Sequence, residues 1–526
     1  MNLKSIFLRV CRPAATNRFY FLPEFVFLII ALLSCSTIAI LAPVASGPDE
    51  TAHLYRVEQI ARGESPSQVT ESWDSLRRIT ARPIHPTESS LTSSGGYIDS
   101  AYHLITLDGY AKAREFGAYF NWPAWDDRAN ILTMGRSGED VPVVFANTTG
   151  NSPVVYFPQV IGWWIGRFCG SVYLQVIFIR LAGVLAYCIG LFYAIRIIPV
   201  GKWVLAVIGL LPNALIVNSF ATADTVTILL SVVFVCVLLK LLITESSPSV
   251  APPPRSLVLI FCLIGALLAF VKMTYFPLIA LIWVLPILRA DARTRFVIVS
   301  CTIAFFTGCL FFMINYLKSK GVNIGLMFGN YTDPDLQKEF ILGHPVAYLK
   351  LVLRCMLQQD VLSTSSLSPI IDLRLQSLGV VPNGWVVTCA LMVSLFAHDF
   401  REKYLRLRRS AVFLLCIFFW ALFVCCSILV CTALYMYWDV PGNPAITGVQ
   451  ARYFLPIMLL LLMPLVILGY EQNAVDKNDE HALSVNRRSS YAIHLVLLVF
   501  ILCSVFLMMM NFLTAFYGWH PWYWLV

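Results

Sequence analysis

Apolar runs long enough to cross a membrane recur from one end of the chain to the other, separated by short basic segments or long polar ones. A helix needs about 20 apolar residues to span the ~30 Å of bilayer hydrocarbon. The pattern predicts about eleven spans, near residues 22–43, 173–197, 202–219, 224–243, 256–270, 273–289, 296–316, 382–398, 410–434, 450–470 and 490–514. The fifth and sixth are short and meet at the polar step Val271-Lys272-Met273-Thr274, which allows a broken pair. The fold class this implies is an all-α polytopic membrane protein.

Composition agrees. Only 13% of the 526 residues are charged and 58% are hydrophobic; a soluble enzyme carries about a quarter charged residues. The net charge of +8 does not point to nucleic acid, because the basic residues cluster between spans. Fifteen cysteines, mostly within spans and with no CxxC, read as small core residues. The first apolar run is span-length and lacks a signal-peptide cleavage site.

Charge bias sets the expected topology. Lys4, Arg9, Arg12 and Arg18 place residues 1–21 in the cytoplasm, and Arg196, Lys202, Arg289, Arg293, Arg295 and the stretch HDFREKYLRLRRS fall on the same side. So do the Pro/Ser linker SSPSVAPPPR and the polar loop after residue 470. A core over 22–470 then exposes loops at 44–152, 317–381 and 435–450 outside, followed by a last span and an external aromatic end, GWHPWYWLV, within 471–526. The first of these loops is acidic, with nine Lys and Arg against fourteen Asp and Glu. The segments TAHLYRVEQIA and VAYLKLVLRCML are expected to be amphipathic helices lying on the membrane surface.

The candidate chemistry gathers on that outer face. In GPDETAHLYRVEQIARGE (47–64), Pro48 suits a first helical turn and Asp49 and Glu50 suit its positive end. His53 and Arg56 then share their stripe. This is either a well-capped interfacial helix or a general base, Asp49 or Glu50, beside orienting groups. Tyr156 lies in SPVVYFPQVIGWWIGR (152–167), an interfacial anchor or a lipid-chain groove. Asp224 opens a span, as a helix-capping acid or as a second acid facing a cavity. Lys272 either snorkels or meets a phosphate. In GVQARYFLP (448–456), Gln450, Arg452 and Tyr453 stand at the mouth of a span. Arg452 there either marks the interface, pairs with an acid of the first loop, or binds a lipid-linked phosphate bidentately. No GxxxxGK[ST], strand-borne GxGxxG or HExxH occurs.

The motifs PDExxHxYR at 48–56 and GVQARYFLP at 448–456 resemble those of an uncharacterised family of bacterial polytopic membrane proteins, predicted to belong to the GT-C glycosyltransferase superfamily. The likeness runs from the first span through the tenth. Ala451 departs from it, standing where that pattern more often has glycine. The resemblance implies a GT-C-like bundle whose first external loop carries the catalytic acid, matched here by Asp49 with Glu50 beside it. The donor it implies is a sugar on polyprenyl phosphate, and the acceptor an envelope glycan or lipid-linked glycan. Arg452, with Lys272 as the weaker candidate, would stabilise the leaving phosphate. His53 and Arg56 would orient the acid or touch the phosphate. No cofactor is required; a divalent cation on the acid pair stays open. The other classes are a transporter or flippase of lipid-linked sugars, disfavoured by the lack of paired inverted halves, and a non-catalytic scaffold in envelope assembly.

Overall fold

The computed structural model describes residues 22–72, 90–113, 132–244, 255–284, 299–310, 332–358, 384–399, 409–474 and 480–517. The basic N-terminus, the linker at 246–254, the basic residues at 289–295 and 400–408 and the aromatic end at 518–526 lie outside them.

The chain enters α1 (Pro23–Leu41) with proline in the first turn, where its missing N–H costs nothing. A turn leads to α2 (Glu50–Ala61), then to β1 (Ser67–Ser72), β2 (Ser90–Asp99), α3 (Ser100–Ala113) and β3 (Asp140–Val144). The strands form one antiparallel sheet in the order β1-β2-β3, with Ser67 opposite Gly95 and Gly95 opposite Val144. The first loop is therefore α+β, where helices alone were expected. The helix α2 also departs from its expected place on the membrane surface. Ten of its twelve residues are buried, covered by α3, the sheet and the next helix.

That next helix is α4 (Phe157–Arg167), which follows a short 3-10 turn at Pro153–Tyr156. It packs antiparallel to the start of α5 (Val172–Ile197) through Gly162 and Gly166. A Cβ on Gly162 would stand 2.3 Å from the Phe178 carbonyl oxygen, so only glycine permits this approach. The opposite face of α4 exposes Phe157, Ile161, Trp164 and Ile165.

The apolar run at 202–219 is not one span. It folds as α6 (Lys202–Gly209) and α7 (Pro212–Val217), both wholly buried, because Pro212 cannot continue a helix hydrogen-bond ladder. Lys202 turns inward, and its Nζ donates to the carbonyls of Ile195 (2.8 Å) and Arg196 (2.9 Å) at the end of α5. Next come α8 (Asp224–Thr244) and α9 (Arg255–Leu267). Lys272 breaks the helix after α9, and a 3-10 segment with an internal proline, Met273–Trp283, follows. Beyond lie α10 (Pro334–Gly343), α11 (Pro345–Gln358), α12 (Gly384–Phe396), α13 (Arg409–Tyr437), the 3-10 turn Ala451–Ile457, α14 (Met458–Ala474) and α15 (Glu480–Tyr517). The helix α11 is amphipathic as expected: Tyr348, Val352 and Cys355 are buried while Val346, Leu349 and Leu353 are exposed.

Among the described residues, six helices are long and apolar enough to cross a membrane: α1, α5, α8, α13, the Ala451–Gly469 unit and the Ala492–Leu513 part of α15. Four shorter apolar helices accompany them. The protein is thus a polytopic, mostly helical membrane protein, and among the described residues the expected span at 202–219 is not one helix.

One acid in the sheet makes stability depend on pH. Glu71 is buried on β1, its Oε2 accepts from the Val144 N–H at 2.7 Å, and its Oε1 has no partner. Burial pushes its carboxyl from an ordinary 4.5 up to about 7, against the pull of that hydrogen bond. The unfolded chain therefore ionises at lower pH than the folded one. Stability is highest below about pH 4.5 with respect to this group and falls as pH rises to about 7. Glu71→Gln keeps the acceptor and removes the charge. It should raise stability at pH 8 by up to about 3 kcal/mol and flatten the slope, read from thermal unfolding of solubilised protein between pH 5 and 8.

Candidate functional site

The site starts at the turn between α1 and α2. Asp49 is the N-cap of α2 with left-handed backbone, φ 56°, and its side chain makes no capping hydrogen bond. The helix begins at Glu50, two residues after Pro48, so Pro48 lies outside the first turn. An L-residue in this conformation is strained; here the strain turns the carboxylate away from the helix end and onto Arg452. The i, i+4 relation to His53 survives, since the His53 N–H bonds the Asp49 carbonyl at 3.1 Å.

Four charged groups from distant segments meet. Arg452 Nη2 pairs with Asp49 Oδ2, and its Nη1 reaches Asp224 Oδ2 at 3.5 Å and the Pro48 carbonyl at 3.3 Å. Lys272 Nζ pairs with Asp224 Oδ1 and lies 5.3 Å from the centre of the Tyr453 ring. Two carboxylates thus face two cations. Arg452 is 3% exposed, and one of its nitrogens, Nε, is buried without a partner, whereas Asp49 is 39% exposed. The Asp49 side chain is the open edge of an otherwise buried cluster.

Local structure explains how these groups converge. Asp224 is the first residue of α8, and its N–H donates to Thr222 Oγ1 at 3.1 Å, which frees the carboxylate for Lys272 and Arg452. Lys272 sits at the break after α9. Gly448, at φ 74°, turns the chain tightly over Trp438 into the motif at 448–456. A 3-10 turn begins at Ala451, which is buried. Gln450 serves through its backbone, accepting from the Tyr453 N–H at 3.0 Å. Two Tyr453 acceptors close the ring: its carbonyl accepts from Tyr275 Oη at 2.8 Å, and its hydroxyl from Arg452 Nη2 at 3.1 Å.

Behind Asp49, His53 Nδ1 is 2.7 Å from Tyr156 Oη, which also accepts from Asn151 Nδ2 at 3.0 Å. Burial drives the imidazole down to about 4, with Lys272 and Arg452 adding to the effect and Asp49 and Asp224 opposing it. His53 is therefore neutral at pH 7. Burial alone would raise the Asp49 carboxyl, but Arg452 beside it, with His53 and Lys272 nearby, holds Asp49 below the ordinary carboxylate value. Burial raises the Tyr156 phenol.

Two predicted residues stand apart. Arg56 does not join the acids. Its Nη1 donates to Gln59 Oε1 at 2.5 Å and its Nη2 to the Asn151 carbonyl at 3.2 Å. Glu50 is fully buried in a second ion pair, with Arg180 of α5. Arg180 Nε and Nη2 each hold one Glu50 oxygen at 2.7 Å. Those oxygens also accept from the Ala221 and Gly47 N–H groups, both at 3.1 Å. The remaining Arg180 protons go to the carbonyls of Ala39, Ala42 and Pro43, at and just past the end of α1. This knot fixes the strained turn. The sequence reading missed Arg180, although an arginine inside an apolar span was the available signal. It also missed Asn151 and Tyr275.

The cluster is a candidate proton-accepting and anion-binding centre, with an ionised carboxylate at its rim and two cations beneath it. Among the described residues, no three His, Cys, Asp or Glu side chains are grouped so as to hold a metal ion, so the acid pair stands without a third ligand. Residues 32–461, which include every member of the cluster, match the model of a family described as "Predicted membrane protein (DUF2142)". The chain belongs to that family. No curated protein and no solved structure matches it.

Proposed function

We propose that this family member is a GT-C-type glycosyltransferase that moves a sugar from polyprenyl phosphate to an envelope glycan or lipid-linked acceptor on the external face of the membrane. The observation that carries the reading is the half-open Asp49–Arg452 pair: a carboxylate at the rim of a buried cluster that also holds a lysine and a second acid. Glu50 is the poorer base, since both its oxygens are saturated by Arg180 and two backbone N–H groups.

The reaction is a single inverting displacement. The acceptor hydroxyl oxygen attacks the anomeric carbon, its proton passes to Asp49, and the bond from that carbon to the phosphate oxygen breaks. Arg452 and Lys272 stabilise the departing polyprenyl phosphate. In the unliganded protein both cations are neutralised by Asp49 and Asp224, so the donor must take them over. As the phosphate draws Arg452 away, Asp49 loses the partner that depresses its pKa and becomes a better base. The donor thereby arms the acid. His53, neutral and held by Tyr156, keeps a third positive charge out of the site.

The test is transfer by the purified protein from a panel of polyprenyl-phosphate sugars to envelope glycan acceptors. A new glycosidic bond is expected, with Arg452→Ala raising the donor KM at least tenfold. Sugar crossing liposomes without a new bond would make the protein a transporter. A cysteine at position 49 should react with an impermeant thiol reagent from outside the cell; labelling only from the cytoplasm sinks the arrangement.

A further inference from the structure

We propose that the cleft between the end of α2 and the exposed face of α4 is a phospholipid site. Arg167 holds the lipid phosphodiester there, and the apolar stripe of α4 takes an acyl chain. The open cleft measures about 640 Å³ and is lined by Arg62, Glu64, Trp163, Trp164, Arg167 and Phe168. One wall is fixed across the gap, since Trp164 Nε1 donates to the Ala61 carbonyl at 3.2 Å.

Charge accounting leaves one cation over. Arg62 is spent: its Nη1 and Nη2 hold Asp140 at 2.9 and 2.6 Å, and its Nε holds Glu64 at 2.9 Å. Arg167 is not. Its guanidinium lies 5.2 Å from the centre of the Trp163 ring, and among the described residues no carboxylate pairs with it. Trp163 is 3% exposed, and its indole N–H is buried without a partner. A phosphodiester has acceptor oxygens for the guanidinium and the indole N–H, and its single negative charge matches the one cation left over.

The apolar half of the site is equally specific. Phe157, Ile161, Trp164, Ile165 and Phe168 recur at helical spacing and stand exposed, Phe168 to 92%. At ~1.5 Å per residue the eleven residues of α4 measure about 16 Å, half the hydrocarbon depth. Its packing gives the direction. Gly166 lies against Gln175, near the start of α5, and Gly162 lies against Phe178 and Ala182, further in. The Arg167 end therefore stands at the mouth of that span and the Phe157 end lies deeper. A cation and two indoles at the mouth, with an apolar stripe running inward from them, repeat the layout of a lipid with its phosphate above an acyl chain. A soluble phosphate would engage Arg167 and leave the stripe bare; a neutral lipid would cover the stripe and leave Arg167 without a partner.

Lipid binding at α4 depends on its membrane placement and not on the chemistry of the acid cluster, so the transfer assay and the lipid assay can fail separately.

The experiment uses the full chain in detergent, stripped of lipid and titrated with dioleoyl phosphatidylglycerol, with bound lipid counted by native mass spectrometry. The same lipid carrying a diazirine in one acyl chain then maps the contact. One saturable phospholipid is expected, crosslinked within residues 157–168. Arg167→Gln should weaken its Kd about tenfold, the scale of one hydrogen bond to a charged group, and Arg167→Lys less. Phe168→Ser should reduce the crosslink at α4 with the charge intact. Both side chains are exposed, so thermal unfolding of these variants should match the wild type. Dioleoylglycerol, which lacks the phosphate, should show no saturable binding. Equal affinity in Arg167→Gln overturns the proposal, as does dioleoylglycerol binding as tightly as the phospholipid. Displacement of the phospholipid by inorganic phosphate, with no crosslink at α4, overturns it as well.

Discussion

Asp49→Asn is expected to lower kcat by roughly 10²–10⁴-fold, the usual contribution of a positioned general base, while the donor KM stays level or falls. The second half of that result separates this site from a simple salt bridge. In the wild type Arg452 is shared between Asp49 and Asp224, so a phosphate must displace a carboxylate to reach it. Asparagine removes that competitor and keeps the size of the side chain. It also tolerates left-handed backbone at least as well as aspartate, so the turn at φ 56° is not disturbed. The pH profile of the wild type carries the same argument. In the free protein Arg452, with His53 and Lys272 nearby, holds Asp49 below its ordinary 3.8 despite burial, so kcat/KM should show no acid limb from Asp49 above about pH 5. The limb in kcat should lie at higher pH, because bound phosphate takes Arg452 away. Steady-state kinetics across pH 4–8 measure both; an unchanged kcat in Asp49→Asn removes this residue from the reaction.

Arg180→Met is expected to cost about 3–5 kcal/mol of stability, the scale on which breaking a buried ion pair leaves an uncompensated charge. Glu50 and Arg180 are both fully buried, and neither can recruit water once its partner is gone. The loss goes beyond the pair. Arg180 also satisfies three carbonyls at the end of α1, and Glu50 accepts from the backbone on both sides of the site. The double variant Glu50→Leu with Arg180→Met removes both charges and should recover part of the loss. Thermal unfolding in detergent ranks the three proteins, and a single variant as stable as the wild type would show that the knot does not hold the turn.

Much of this was legible in the chain before any coordinates. Run length and hydropathy found α1, α5, α8 and α13, because a span is specified by its length of apolar sequence alone. Asp49, Asp224, Lys272, Arg452 and Tyr453 were all legible as charged or aromatic residues at span mouths, and the fold brings them together. The pairing was not legible. Arg452 meets the first-loop acid, one of the alternatives the sequence left open, and nothing local to 448–456 says which acid lies 403 residues away. Hydropathy also misread 202–219, since a window average does not register that Pro212 splits the run into two short helices. The sheet escaped because strands such as SQVTES are polar and short, and their pairing partners lie far along the chain. Glu50 looked equivalent to Asp49 only while Arg180 was unseen.

The length of α5 has a consequence for the lipid. At ~1.5 Å per residue its 26 residues measure about 39 Å, longer than the ~30 Å of hydrocarbon it crosses. Arg180 stands about 26 Å from the Ile197 end, and through Glu50 it sets the height of Asp49. Under the proposed function, that height is where a polyprenyl carrier would present its headgroup with its tail still dissolved among the acyl chains. On that reading the chain carries its own depth gauge: in a bilayer a few ångströms thicker, the same four charges would be drowned in hydrocarbon.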